Sequence, residues 1–177
     1  MHRLYPLETN NLETILEWRN APSVRENMYT QNIITLEQHR SWWEKTRIKA
    51  DAQYFLYKNG DIPFGVVAFT EIDKHQGHAS WAFYADPNAP KGTGSWMEVL
   101  ALDFALIEIG LNKLYCEVLS YNVGVINKHK KFGFEIEGVF VDQFKNHNGY
   151  ADIVRLAIFA SAWRKKRHEI LEKLKKY

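Results

Sequence analysis

Residues 91–95, Lys-Gly-Thr-Gly-Ser, stand directly before a strongly helical run, in the stretch PNAPKGTGSWMEVLALDFALIEIG. The first N–H groups of a helix have no intrahelical partner and carry the positive end of the macrodipole. Gly92 and Gly94 let a bulky anion approach that backbone, and Lys91 adds a formal charge. The geometry suits a phosphate or pyrophosphate. A flexible turn with Ser95 as helix cap accounts for the same residues.

Other chemistry-bearing residues exclude more than they suggest. The one cysteine, Cys116, lies in the apolar stretch KLYCEVL with no histidine nearby in sequence, which reads as a buried thiol and not a nucleophile. A lone cysteine also excludes an intrachain disulfide framework and fits a reducing interior. His75 and His78 are three apart in a turn without a third ligand, so no metal is expected. The formal net charge of +2 is too small to argue for a nucleic-acid partner. MHRLYPLETNNLE lacks the apolar core of a secretion signal, and no run approaches membrane-spanning length. The expectation is a cytoplasmic protein with no membrane partner.

The 177 residues fit a single domain, 1–177, able to bury a full core, and a hydrophobic content of 46% is ordinary for a globular protein. Six Trp, nine Tyr and ten Phe also supply walls for a flat or ring-shaped ligand.

The elements that must position these residues follow from spacing. HRLYPLE suits a short strand. NNLETILEWRN places Leu12, Ile15, Leu16 and Trp18 at helical spacing, closed by Pro22. Thr35 and Gln38 have capping-box spacing at the start of TLEQHRSWWEKTR. AQYFLYKNGDIPFGVVAFTEID reads as two strands about an Asn59-Gly60 turn, and HASWAFYAD as a third. A helix is expected from about Ser95 to Ile109, burying Met97, Leu100, Ala101, Phe104 and either Leu106 or Ile107. KLYCEVL suits a central strand, and NVGVINKHKKFGF a short helix ended by Gly133 in a left-handed cap. FEIEGVFVDQF and YADIVRLAIF pair across KNHNG, and an amphipathic helix ends the chain. The predicted fold is mixed α/β, of the α+β type, with a mostly antiparallel central sheet flanked by helices. It is not a doubly wound nucleotide fold, because no G-x-G-x-x-G fingerprint appears.

Three of these segments, in this order, resemble the GCN5-related N-acetyltransferase (GNAT) family: PKGTGS opening a helix after a meander, YCEVLSYN ending at Asn122, and NVGVINKHKKFGF. The resemblance spans essentially the whole chain. It implies a glycine-rich turn (Lys91, Gly92, Thr93, Gly94, Ser95) binding the pyrophosphate of acetyl-CoA, the cosubstrate, without a metal. The pantetheine arm would lie between the strands holding Phe83, Tyr84, Ala85 and Asn122, with a backbone N–H near Phe83 to Ala85 polarising the thioester. The chain departs from the family pattern twice. Ala89 stands where a basic residue is common, with Lys91 as the nearby charge. His129 stands where many members have the tyrosine that protonates the departing thiolate. An imidazole can serve as that acid. Tyr121 and Tyr84 are reserves, and His129 also suits a core contact. Glu117 is the candidate base for the amine, or a carboxylate on an exposed sheet face. A non-catalytic acetyl-CoA-binding module is a further alternative.

The N-terminal third, EWRNAPSVRENMY then ITLEQHRSWWEK, resembles the acetyltransferases of bacterial nucleotide-sugar pathways, the pseudaminic acid branch among them. That resemblance implies a small-molecule acceptor, the 4-amine of a UDP-linked 4-amino-4,6-dideoxy-N-acetyl-altrosamine. Arg19, Asn20, Arg25, Met28, Tyr29, His39 and Trp43 supply the cations, platforms and hydrogen-bonding groups that such a ligand needs. Arg19 and Arg25 could instead pair with Glu17 or Glu26, and Asn20 could simply end a helix. Of the adjacent Trp42 and Trp43, at most one faces the core. GFEIEGVF also resembles the ribosomal-protein N-terminal acetyltransferases, so a peptide amine remains the alternative acceptor. Monomer and homodimer are both open.

Overall fold

Seven strands make one sheet in the order β1-β2-β3-β4-β5-β7-β6 in the computed structural model, which describes residues 1–176. They are β1 (His2–Pro6), β2 (Gln53–Asn59), β3 (Ile62–Asp73), β4 (His78–Ala85), β5 (Lys113–Leu119), β6 (Glu135–Asn146) and β7 (Gly149–Phe159). The helices are α1 (Leu12–Asn20), α2 (Pro22–Arg25), α3 (Leu36–Thr46), α4 (Thr93–Asp103), α5 (Val123–Phe132) and α6 (Ala160–Leu174). The expected order of elements and the mostly antiparallel sheet are observed.

Alternation along the strands divides the core in two. Val67, Phe69, Trp81, Cys116 and Leu156 pack with α4, α5 and α6 on one face. Val66 and Leu56, one residue out of phase, pack with Leu12, Ile15, Trp18 and Trp43 of α1 and α3 on the other. This is the period of two in a sheet covered on both sides.

One strand pair breaks the antiparallel pattern. β4 and β5 run parallel, and their register extends only from His78↔Lys113 to Ser80↔Tyr115. β5 stays paired with β7 from Lys113 to Leu119, and β4 stays paired with β3 out to Ala85, so the two halves of the sheet part between them.

Local signals hold in detail. Thr35 and Gln38 form the reciprocal capping box, and Gly133 closes α5 at φ 106°. The helix expected to reach Ile109 is α-helical only to Asp103 and continues as a π-turn over Phe104–Glu108. Asp103 is held there by Trp163 Nε1 at 2.9 Å and by both ends of the Arg167 fork. Leu106 is buried and Ile107 exposed.

Candidate active site

The parting of β4 and β5 opens a cavity of about 250 Å³ lined by Trp81 to Ala85, Cys116 to Val118, Asn122 and His129. Beyond Ser80 the β4 edge toward β5 has no strand partner, so alternate backbone groups from Trp81 to Ala85 are left for an extended ligand. Phe83, Tyr84 and Ala85 lie on this edge and line the cavity. Asn122 caps α5 by accepting from the Val125 N–H at 3.4 Å.

At the neighbouring helix start, Gly92 is the N-cap of α4 at φ 91°, a backbone state that favours glycine, and no side chain caps the helix. Ser95 lies inside the first turn, its N–H on the Gly92 carbonyl at 2.9 Å, and is not the cap. Thr93 is buried, and Lys91 is exposed. The cation that reaches this turn is Lys128 of α5, which the sequence reading did not name. A Cβ added at Gly94 would fall 2.2 Å from its Nζ, so glycine there makes room for the ammonium. Lys128 Nζ also stands 5.3 Å from the Phe83 ring centroid, and burial lowers its pKa. Its i+3 spacing from Val125, a cavity residue, was the available signal.

His129 is 2% exposed and is ringed by Trp81, Phe83 and Phe134. Its Nδ1 lies 2.8 Å from Oε1 of Glu98, a fully buried carboxylate of α4. With Nδ1 engaged, Nε2 is the ring nitrogen left for a ligand. Burial pushes the Cys116 thiol well up, which keeps it protonated and unreactive.

Glu117 alternates with Cys116 and Val118, so it faces the opposite side of the sheet. Its carboxylate accepts from the Tyr29 hydroxyl at 2.8 Å and from Arg155 Nη1 at 3.4 Å. It lines the cleft and is not turned away to a bare sheet face. Burial and that carboxylate push the Tyr29 phenol far above its ordinary pKa.

A second cavity, about 330 Å³, adjoins the first and shares Met28, Ala82, Phe83 and Tyr84 with it. Trp42, Tyr54 and Tyr84 supply its aromatic walls, and no carboxylate stands among the described residues lining it. Arg19 donates through Nη2 to the Thr30 carbonyl at 2.9 Å. Its Nη1, like Nε2 of His39, is buried without a partner. Burial lowers the pKa of both groups, and the Arg19 charge lowers that of His39 further.

The remaining candidates hold the site's frame. The Asn20 amide clamps Ile34, donating to its carbonyl at 2.8 Å and accepting its N–H at 2.9 Å. Arg25 donates to the Gln31 carbonyl at 2.8 Å. Neither lines either cavity; both fasten the loop between α2 and α3. Tyr121 does the same through its hydroxyl on the Glu26 carbonyl. Trp43 is a correction: it is buried beside Leu12 and Ile15, with its indole N–H on Thr9 Oγ1 at 3.2 Å. Trp42 takes the cavity wall and stacks on His39 with ring centroids 4.9 Å apart. One residue along a helix turns the side chain by about 100°, which separates the two indoles.

Among the described residues, no group of three or more His, Cys, Asp or Glu side chains could hold a metal ion, and no helix is long and apolar enough to cross a membrane. The chain is 24% identical over 158 residues to the spermidine N(1)-acetyltransferase of Escherichia coli K12, covering 89% of this chain and 85% of that protein. It is 26% identical over 130 residues to the acetyltransferase PseH of Campylobacter jejuni, covering 73% and 80% respectively. The Vibrio cholerae spermidine N-acetyltransferase, solved with CoA and spermine, superposes with a TM-score of 0.86 at 21% identity, over 92% of this chain and 98% of that one. Residues 5–154 match the acetyltransferase (GNAT) domain family, and the chain belongs to it, as an N-acetyltransferase that takes its acetyl group from acetyl-CoA.

Proposed function

We propose that the protein transfers the acetyl group of acetyl-CoA directly to the 4-amine of a UDP-linked 4-amino-4,6-dideoxy-N-acetyl-hexosamine, the altrosamine of the pseudaminic acid pathway. One observation carries the choice of acceptor: the second cavity holds an unpartnered Arg19 Nη1 among aromatic walls and lacks a carboxylate among its described lining residues. A polycation such as spermidine needs carboxylates to replace its lost hydration. An acceptor with oxygen acceptors and flat or ring-shaped groups matches a guanidinium, a His39 kept neutral and the rings of Trp42 and Tyr54. The similarity to PseH points the same way, and the similarity to the spermidine enzymes points to a polyamine.

In this reading the Gly92–Gly94 turn and Lys128 hold the pyrophosphate, with Lys91, Thr93 and Ser95 beside it. The arm pairs with β4 at Phe83 to Ala85, near Asn122, and a backbone N–H there polarises the carbonyl. The acceptor arrives from the Arg19 face, where Met28 joins the two cavities and Tyr29 and Arg155 hold Glu117. Glu117, directly or through water, receives the amine proton. His129, on the donor face, gives a proton to the CoA sulfur. Tyr84 suits that step less, since burial pushes its phenol far up. Tyr121 is committed to the Glu26 carbonyl.

The deciding experiment follows free CoA release with three amines: a UDP-4-amino sugar, spermidine and an N-terminal peptide of ribosomal-protein type. Turnover of the sugar, with UDP competing against it, is the expected result. Acetylation of spermidine or the peptide, with no binding or inhibition by millimolar UDP, overturns the assignment. CoA binding without turnover of any amine leaves a binding module.

A further inference from the structure

Glu98 is a carboxylate at a position of α4 where the surrounding core is apolar. Its side chain is wholly buried. One oxygen meets His129 Nδ1 at 2.8 Å, and the other, Oε2, has no partner. Burying a carboxylate with half its hydrogen-bonding capacity unused is costly, and an apolar side chain of the same size would fill the space without that cost. Packing therefore does not account for the residue.

We infer that Glu98 is the positioning residue of His129, holding its proton on Nδ1 so that Nε2 faces the acyl-transfer cavity. The inference rests on the reading of His129 as the acid for the CoA thiolate. A carboxylate can only accept, so it selects the Nδ1–H form and fixes the ring's orientation. During transfer the amine nitrogen bonds to the acetyl carbon. The carbon–sulfur bond then breaks with its electron pair on sulfur, the amine proton leaves to Glu117 directly or through water, and sulfur takes the Nε2 proton of a ring that entered the step carrying protons on both nitrogens, the second taken up from solvent. The ring left behind is a neutral imidazole, still donating through Nδ1 to Glu98.

The groups facing the pair come from four elements. They are Glu98 itself on α4, the Lys128 ammonium on α5, the Cys116 thiol on β5 and the Trp81 indole N–H on β4. Cys116 is kept uncharged by burial.

The test uses Glu98→Gln, which keeps the shape and removes the charge, and Glu98→Leu, which removes the acceptor. Imidazole nitrogen NMR, with the His129 signals identified by their loss in His129→Phe, reads the tautomer without any acceptor amine. The wild type should carry the proton on Nδ1, and Glu98→Leu should shift it to Nε2. With acetyl-CoA and a turned-over amine, kcat should fall about tenfold or more in both variants, with KM for acetyl-CoA within about twofold. An unchanged tautomer in folded Glu98→Leu, or near-normal kcat in both variants, overturns the role of Glu98. Wild-type kcat in His129→Phe instead overturns the acid assignment, and a catalytic use of the pair with it, even where the tautomer switches.

Discussion

On the donor side of the cleft, the ligand-facing groups come from two short segments, Lys91–Ser95 and Asn122–His129, together with the bare edge of β4. The proposed acceptor side draws on α1, the loop after α2, α3 and four strands, and its polar groups are side-chain tips: Arg19 Nη1, His39 Nε2 and the Glu117 carboxylate. In the proposed reading, backbone amides and a helix start do most of the binding on the first side, so a change there must alter the main-chain path or fill its space. On the second side each contact hangs on one side chain. Asn20, Arg25 and Tyr121 tether the supporting loop through hydrogen bonds to its carbonyls. One face can therefore serve a common donor while substitutions on the other change the acceptor.

The largest effect that would sharpen this contrast is expected at Gly94. Gly94→Glu puts a carboxylate at the turn and displaces Lys128, whose Nζ lies where the new Cβ would begin. With each charge-assisted contact worth about 1.5–3 kcal/mol, CoA affinity should fall about a hundredfold or more. Gly94→Ala should do less, since only the flexible tip of Lys128 must move. Calorimetry giving wild-type CoA affinity in a folded Gly94→Glu protein removes the phosphate role from this turn.

Next comes Arg19. Arg19→Ala should raise KM for the acceptor about ten- to a hundredfold and leave KM for acetyl-CoA unchanged, as one lost contact to a charged group predicts. Arg25→Ala should cost less than about tenfold, because Arg25 acts through the loop and touches neither cavity. Equal effects on both substrates at Arg19 would erase the division into two faces.

The smallest effect concerns pH. Burial and the Arg19 charge lower the pKa of His39 in the folded protein, while the unfolded chain takes up that proton near its ordinary value of about 6.5. The sign follows: His39 costs no stability above that pH, and stability falls as the pH drops through the folded pKa. Thermal melts should therefore lose Tm more steeply below about pH 6.5 in the wild type than in His39→Gln. Parallel pH profiles of Tm in the two proteins would mean that His39 is not held neutral by this cavity.

Much of the donor side was legible because its signals are local. The glycine turn, the Thr35–Gln38 box and the Gly133 cap follow from near-neighbour spacing and are observed, while an arm between the β4 and β5 strands was implied by the family resemblance alone. Lys128 was harder to read, being one lysine in a basic run whose direction depends on how α5 lies against α4. Glu98 carries no local signal, since a glutamate in a strong helix former's run fits an exposed face equally well. On the acceptor side, the adjacency of Trp42 and Trp43 required that they part company but could not say which one turns inward.

By itself, the sequence determined the element order, the mixed sheet, the helix start suited to a phosphate and the family resemblance, because each rests on residues within a few positions of one another. Only the tertiary structure decided that Glu98 faces His129, that Lys128 joins Lys91 at the glycine turn, and that Arg19 and Trp42 line the second cavity while Arg25 and Trp43 support it. Those choices depend on how helices far apart in the chain are rotated and seated on the sheet. That rotation is set by the packing of the two cores and the length of the β4–β5 register, which no short window of residues contains.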